Sequence, residues 1–143
     1  MAHSRLILVI EDNPADIRLV KEAIRDCGLD VVLEAAQDGE QAMQFLKREN
    51  GHENAQRPSL IFLDLNLPRG TSKDILRFLK TNPDLRMIPV AVLTSSDAER
   101  DIREAYELYA NCYLRKPVEL DAFLSVIRET VNYWITVARI PSE

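Results

Sequence analysis

The chain has 143 residues, 46% hydrophobic and 29% charged, the balance of one globular domain with a real core. Its net charge of -5, with no cluster of Lys and Arg, argues against a nucleic-acid partner. The first apolar run, Leu6 to Ile10, is too short for a signal-peptide core or a membrane span. Cys27 and Cys112 stand far apart in apolar contexts, so free thiols in a reducing cytoplasm are expected rather than a disulfide.

Leu6 to Ile10 reads as a buried strand, and it closes on Glu11-Asp12. Asn13-Pro14 then supplies a helix cap with proline at the first helical position. Ile17, Val20, Ile24 and Cys27 recur on one face, and Gly28 closes the helix in a left-handed conformation. Val31 to Ala36 is a shorter, partly polar strand suited to a sheet edge. Asp38-Gly39-Glu40-Gln41 resembles a capping box for a helix whose face is Ala42, Phe45 and Leu46, with Asn50-Gly51 as its stop. Residues 52–57 form a polar loop, where His52 is expected to be solvated rather than a ligand; His3 is the only other histidine.

Leu60-Ile61-Phe62-Leu63 is an unbroken apolar run ending on Asp64, as a strand buried on both faces requires. Pro68 and Gly70 break the chain into a loop. Thr71-Ser72-Lys73-Asp74 offers a second capping box, for a helix carrying Ile75, Phe78 and Leu79 and closed by Asn82-Pro83. Ile88 to Leu93 is the next buried strand, leading to Thr94-Ser95-Ser96. Ser96 to Glu99 is again a capping pattern, before a helix with Ile102, Ala105, Tyr106 and Tyr109 on one face. Cys112-Tyr113-Leu114 is a short strand before Arg115-Lys116-Pro117, and a final helix starts near Glu119.

Strand and helix thus alternate five times, which implies a parallel sheet with right-handed crossovers. Glu11, Asp12, Asp64, Thr94 and Lys116 all fall at the carboxyl ends of strands, the edge where open α/β sheets bind ligands. Three carboxylates gathered there would repel one another unless a cation sat among them. Mg²⁺ suits such a set, with Mn²⁺ able to substitute, whereas zinc is disfavoured because no His or Cys lies near the acids. A carboxylate can attack phosphorus to form an acyl phosphate, with Lys116 and Thr94 as phosphate partners. Taken singly, each residue has a plainer reading: Glu11-Asp12 as acids near a helix dipole, Thr94 as a strand end, Lys116 as a charge before a turn. The signal is their conjunction in a fixed order.

Glu11-Asp12-Asn13, Leu63-Asp64-Leu65-Asn66-Leu67-Pro68, Leu93-Thr94-Ser95 and Tyr113-Leu114-Arg115-Lys116-Pro117 together resemble the signatures of receiver domains of two-component response regulators. The resemblance spans roughly residues 5 to 130. It implies the flavodoxin-like strand order 2-1-3-4-5. It further implies that Asp64 is the phosphoacceptor for a sensor histidine kinase, and that Glu11, Asp12, Asp64 and the backbone carbonyl of Asn66 hold Mg²⁺. Thr94 and Lys116 would contact the phosphoryl group, Tyr113 takes the aromatic switch position, and Lys116-Pro117 matches a peptide commonly cis in the family. Ser72 departs from the pattern, since many receivers carry glycine eight residues after the phosphoacceptor. The implied protein is a cytoplasmic signalling phosphoacceptor rather than an enzyme, limited to self-phosphorylation and slow autodephosphorylation.

A receiver occupies residues 1–130 on this reading, and residues 131–143 extend the last helix. Leu120, Phe123, Leu124, Ile127 and Val131 continue into Trp134, Ile135 and Ala138, while Tyr133, Val137 and Ile140 add apolar area beyond the domain edge. Such a patch marks an interface or folds back on its own domain. The ending also resembles the tail of single-domain response regulators paired with phytochromes. That implies a homodimer with Tyr133, Trp134, Ile135 and Ile140 in a dimer arm, and a bacteriophytochrome as the kinase. Two rivals are weighed against this reading. An aspartyl phosphatase of the haloacid-dehalogenase type would want a second Asp where Asn66 stands, and an unreactive flavodoxin-like module would not need the intact acids, hydroxyl and lysine. A P-loop nucleotide hydrolase is excluded by the lack of its glycine-rich string.

Overall fold

The computed structural model of the chain describes residues 4–141, so His3 lies outside the described residues. Five strands, β1 (Arg5–Ile10), β2 (Val31–Ala36), β3 (Leu60–Leu63), β4 (Val90–Thr94) and β5 (Cys112–Arg115), form one sheet. Every pairing is parallel and the order is β2-β1-β3-β4-β5, the flavodoxin-like arrangement expected from the sequence. The helices are α1 (Pro14–Asp26), α2 (Gly39–Lys47), α3 (Thr71–Thr81), α4 (Glu99–Glu107) and α5 (Leu120–Asn132).

Alternation along the buried strands divides the core in two. Leu8, Ile10, Ile61, Leu63, Val90 and Val92 point to one face and pack against Phe45 and Leu46 of α2, Ile75, Leu76 and Leu79 of α3, and Ala105 of α4. Ile7, Val9, Leu60, Phe62, Ala91 and Leu93 point to the other, against Val20 and Ile24 of α1 and Phe123, Leu124 and Ile127 of α5. Both faces of β1, β3 and β4 are therefore covered, which is why these strands read as continuous apolar runs. β2 is the partly polar edge, with Val32 and Glu34 turned to solvent.

Local chemistry fixes the helix starts, not always as expected. Asn13 caps α1, its side-chain carbonyl accepting from the N–H groups of Ala15 (2.9 Å) and Asp16 (3.4 Å). Asp38 caps α2 by accepting from Gln41 N–H at 2.8 Å, but the Gln41 side-chain carbonyl accepts in return from Gln37 N–H rather than from the cap residue. α2 ends earlier than Asn50-Gly51, because Arg48 itself takes the left-handed conformation (φ 58°). The capping box at Thr71 does not form. A 3-10 turn over Pro68–Gly70 runs straight into α3, Gly70 is the cap residue, and Thr71 Oγ1 donates back to the Pro68 carbonyl. Ser96 likewise precedes α4 without capping it; its hydroxyl donates to Asp101 Oδ2 at 2.6 Å and accepts from Ala98 N–H. The expected α4 face holds only in part. The helix ends at Glu107 and Tyr109 turns left-handed (φ 69°), so Leu108 and Ala110 take the core positions while Tyr106 and Tyr109 face solvent.

The last helix also differs from a single run to Ala138. After Asn132 the chain makes a π-helical turn over Tyr133–Val137, closed by Ala138 N–H donating to the Tyr133 carbonyl at 2.7 Å, and then extends. Trp134 and Ile135 pack against the α1/α5 core, and Arg5 Nη1 donates to the Ile135 carbonyl at 2.8 Å. Val131 is fully buried, so the division expected between residues 130 and 131 falls inside α5. Cys27 and Cys112 are free, and burial pushes both thiols up. His52 sets its ring 5.4 Å from that of Phe45. Among the described residues no helix is long and apolar enough to cross a membrane.

Candidate functional site

Three parallel strands that end together deliver their next residues to one place. β1 hands over Glu11 and Asp12, β3 hands over Asp64, and carboxylate oxygens of all three lie within 4.8 Å of one another. Glu11 and Asp64 are buried and Asp12 is exposed. Asp64 N–H donates to the Ile10 carbonyl at 3.0 Å and Glu11 N–H to the Ala36 carbonyl at 3.0 Å, so the sheet ladder itself sets the spacing. An all-oxygen, three-carboxylate set of this size fits a hard divalent cation with water in its remaining positions.

β5 supplies the balancing charge. Lys116 Nζ lies 2.5 Å from Glu11 Oε1, 2.9 Å from Asp16 Oδ2 and 3.3 Å from Asp64 Oδ2, and its backbone N–H donates to the Thr94 carbonyl at 2.7 Å. Burial pulls the ammonium's pKa down, but the bonds to Glu11 and Asp16 and the charge of Asp64 outweigh it, so the net shift is upward. One cation does not offset two buried acids. Burial first, then the adjoining Asp64 carboxylate, pushes Glu11 up to about 8 despite Lys116. Glu11 therefore keeps its proton near neutrality. The Lys116-Pro117 peptide is trans, as are all described peptides; trans is the favoured isomer wherever packing does not impose cis.

Thr94 is wholly buried at the end of β4, where its hydroxyl accepts from Asn66 Nδ2 at 3.0 Å and from Ser96 N–H at 3.4 Å. Asn66 N–H in turn donates to Asp64 Oδ1 at 2.9 Å. A continuous path thus runs from Asp64 through Asn66 and Thr94 to the loop before α4. Tyr113, on β5, donates its hydroxyl to the Ser96 carbonyl at 2.8 Å and so touches the far end of that path.

Every residue singled out on the strand ends is in this cluster. Two participants were missed. Ser72, buried, donates to the Asp64 carbonyl at 2.6 Å and ties α3 to the loop that carries Asp64. Asp16 sits in the first turn of α1, four residues after Asp12, and looked like an ordinary helix-start acid. The tail residues are elsewhere. Tyr133 is half exposed with its ring edge-on to Trp134 at 5.2 Å, Val137 is exposed, and Ile140 lines a groove of about 690 Å³ with Arg5 and Pro58.

Parallel order and site both point to one class of signalling domain, and residues 7–128 match the response regulator receiver domain; the chain belongs to that family. It is 41% identical to response regulator Rcp1 of Synechocystis sp., over 96% of this chain and 94% of that one. Its structure superposes on the phosphorylated cyanobacterial phytochrome response regulator RcpA with a TM-score of 0.93, at 39% identity, covering 99% of this chain and 100% of that one. The Mn²⁺-bound form of Rcp1 gives a TM-score of 0.91 at 40% identity, covering 96% and 99%.

Proposed function

We propose that this receiver takes a phosphoryl group from a sensor histidine kinase onto Asp64, in a Mg²⁺-dependent reaction, and signals through the change this makes at β4, α4 and β5. The observation that carries the reading is the meeting of the Glu11, Asp12 and Asp64 carboxylates within 4.8 Å, with Lys116 Nζ 3.3 Å from Asp64. In the reaction an Asp64 carboxylate oxygen attacks phosphorus. A P–O bond forms, the P–N bond to the kinase imidazole breaks, and its electron pair leaves with the ring. Water later cleaves the acyl phosphate, releasing inorganic phosphate and restoring the carboxylate. Glu11, Asp12, Asp64 and the Asn66 carbonyl would hold the cation, which when bound neutralises charge gathering on the transferred oxygens.

The chain's own residues do the rest. Asn66 N–H, bonded to Oδ1, leaves Asp64 Oδ2 beside the ammonium as the oxygen placed to react. Lys116 is within reach of a phosphoryl oxygen there. A phosphoryl group brings about 1.5 to 2 negative charges. The Thr94 hydroxyl turns its proton to that charge, giving up its place against Asn66 and Ser96, and Tyr113 follows the Ser96 carbonyl. The kinase partner is a bacteriophytochrome on this proposal, supported by the phytochrome-linked relatives, and the compartment is the cytoplasm, which suits two free thiols. The chain forms a homodimer through its tail, where Tyr133 and Val137 leave apolar surface exposed.

Incubation with acetyl phosphate and Mg²⁺, followed by intact mass, tests the chemistry. A labile adduct of one phosphate is expected, absent from Asp64→Asn and from samples held in chelator. Steady hydrolysis of unrelated phosphomonoesters would instead mark the chain as a phosphatase.

A further inference from the structure

We infer that Asp16 is a positioning residue for Lys116, the seat that keeps the ammonium beside Asp64 when a divalent cation claims the Glu11 and Asp64 oxygens. The inference rests on the phosphoacceptor reading above. An ammonium has three N–H donors, and Lys116 directs them to three carboxylates, those of Glu11, Asp16 and Asp64. Two of these acids belong to the close metal-holding set, and Asp16 does not. A cation on Glu11 and Asp64 and the ammonium of Lys116 therefore draw on the same two carboxylates. Of the three partners only Asp16 lies outside that set, and it already stands 2.9 Å from Lys116 Nζ.

The sequence gives α1 the means to hold that seat. Asn13 caps the helix by taking the Ala15 and Asp16 N–H groups, which places the Asp16 side chain in the first turn, within reach of the Lys116 ammonium. Asp16 is also favoured there by the helix dipole, whatever Lys116 does. The two roles separate in a double-mutant cycle, because dipole and general charge effects do not need the lysine.

Mg²⁺ titration calorimetry on wild type, Asp16→Ala, Asp16→Asn, Lys116→Ala and Asp16→Ala/Lys116→Ala supplies the test. Asp16→Ala weakens Mg²⁺ binding in both backgrounds, and the loss is about tenfold larger with Lys116 present, the size of one charge-assisted hydrogen bond. Asp16→Asn, which keeps an acceptor oxygen, recovers part of that difference. Equal losses in the two backgrounds would overturn the role of Asp16, reducing it to a nearby charge. Wild-type protein that takes no phosphate from acetyl phosphate onto Asp64 would overturn the underlying function instead, whatever the calorimetry gives.

Discussion

Glu11 is almost wholly buried between Lys116 and Asp64, and burial with the Asp64 carboxylate lifts its carboxyl from an ordinary 4.5 to about 8. Between those values the folded chain keeps a proton that the unfolded chain has lost. Glu11's contribution to stability is thus complete below about pH 4.5 and disappears as pH rises through about 8. Thermal melts in chelator should therefore fall from pH 6 to pH 8 more steeply for wild type than for Glu11→Gln; parallel profiles would show that Glu11 carries no raised pKa. Ser72 makes a second prediction at this scale. Its hydroxyl is the partner of the buried Asp64 carbonyl, so Ser72→Ala should cost about 1–2 kcal/mol in urea denaturation. An unchanged midpoint would mean that water replaces the hydroxyl. Sequence reasoning reached Glu11, Asp12, Asp64, Thr94 and Lys116 because each closes a strand and the parallel topology gathers strand ends. It missed Asp16 and Ser72 because both sit on helix starts, where a polar residue is expected anyway. Their partners, 100 residues away for Asp16 and on the preceding loop for Ser72, leave no local pattern.

At the scale of elements, apolar runs marked all five strands and helices and Gly28 the end of α1, since those signals come from burial and from backbone freedom. The boundaries that failed depended on side chains with a better local offer. Thr71 turns its hydroxyl to the Pro68 carbonyl and Ser96 turns to Asp101, so neither caps the helix that follows. Arg48 and Tyr109 adopt left-handed conformations that no residue pattern announces. The starts of α2 and α3 meet closely at Gly39, where a Cβ would lie 2.8 Å from Thr71 Oγ1 and 2.9 Å from Thr71 Cβ. Gly39→Ala should therefore destabilise by about 1–3 kcal/mol, although its helical position would ordinarily favour alanine. A stabilised Gly39→Ala protein would show that Thr71 yields without cost.

For the whole molecule, the sheet order brings residues separated by up to 105 positions into one cluster, and the tail decides what surface remains. Trp134 and Ile135 are drawn into the domain's own core, which answers half of the sequence's open choice, while Tyr133 at 50% and Val137 at 63% exposure stay available to a second copy. Truncation before Tyr133 would strip the core as well, so the sharper test is Tyr133→Ser with Val137→Ser. Light scattering should give a dimer mass for wild type and a monomer mass for the double variant. A monomeric wild type contradicts the tail-mediated homodimer. The acyl phosphate itself is reached most directly by borohydride reduction of protein phosphorylated with acetyl phosphate and Mg²⁺, followed by peptide mass mapping. Reduction at an acyl phosphate converts aspartate to homoserine, and the account predicts homoserine at position 64 alone. Homoserine at position 12, or a phosphate that survives the reduction on another side chain, would contradict it.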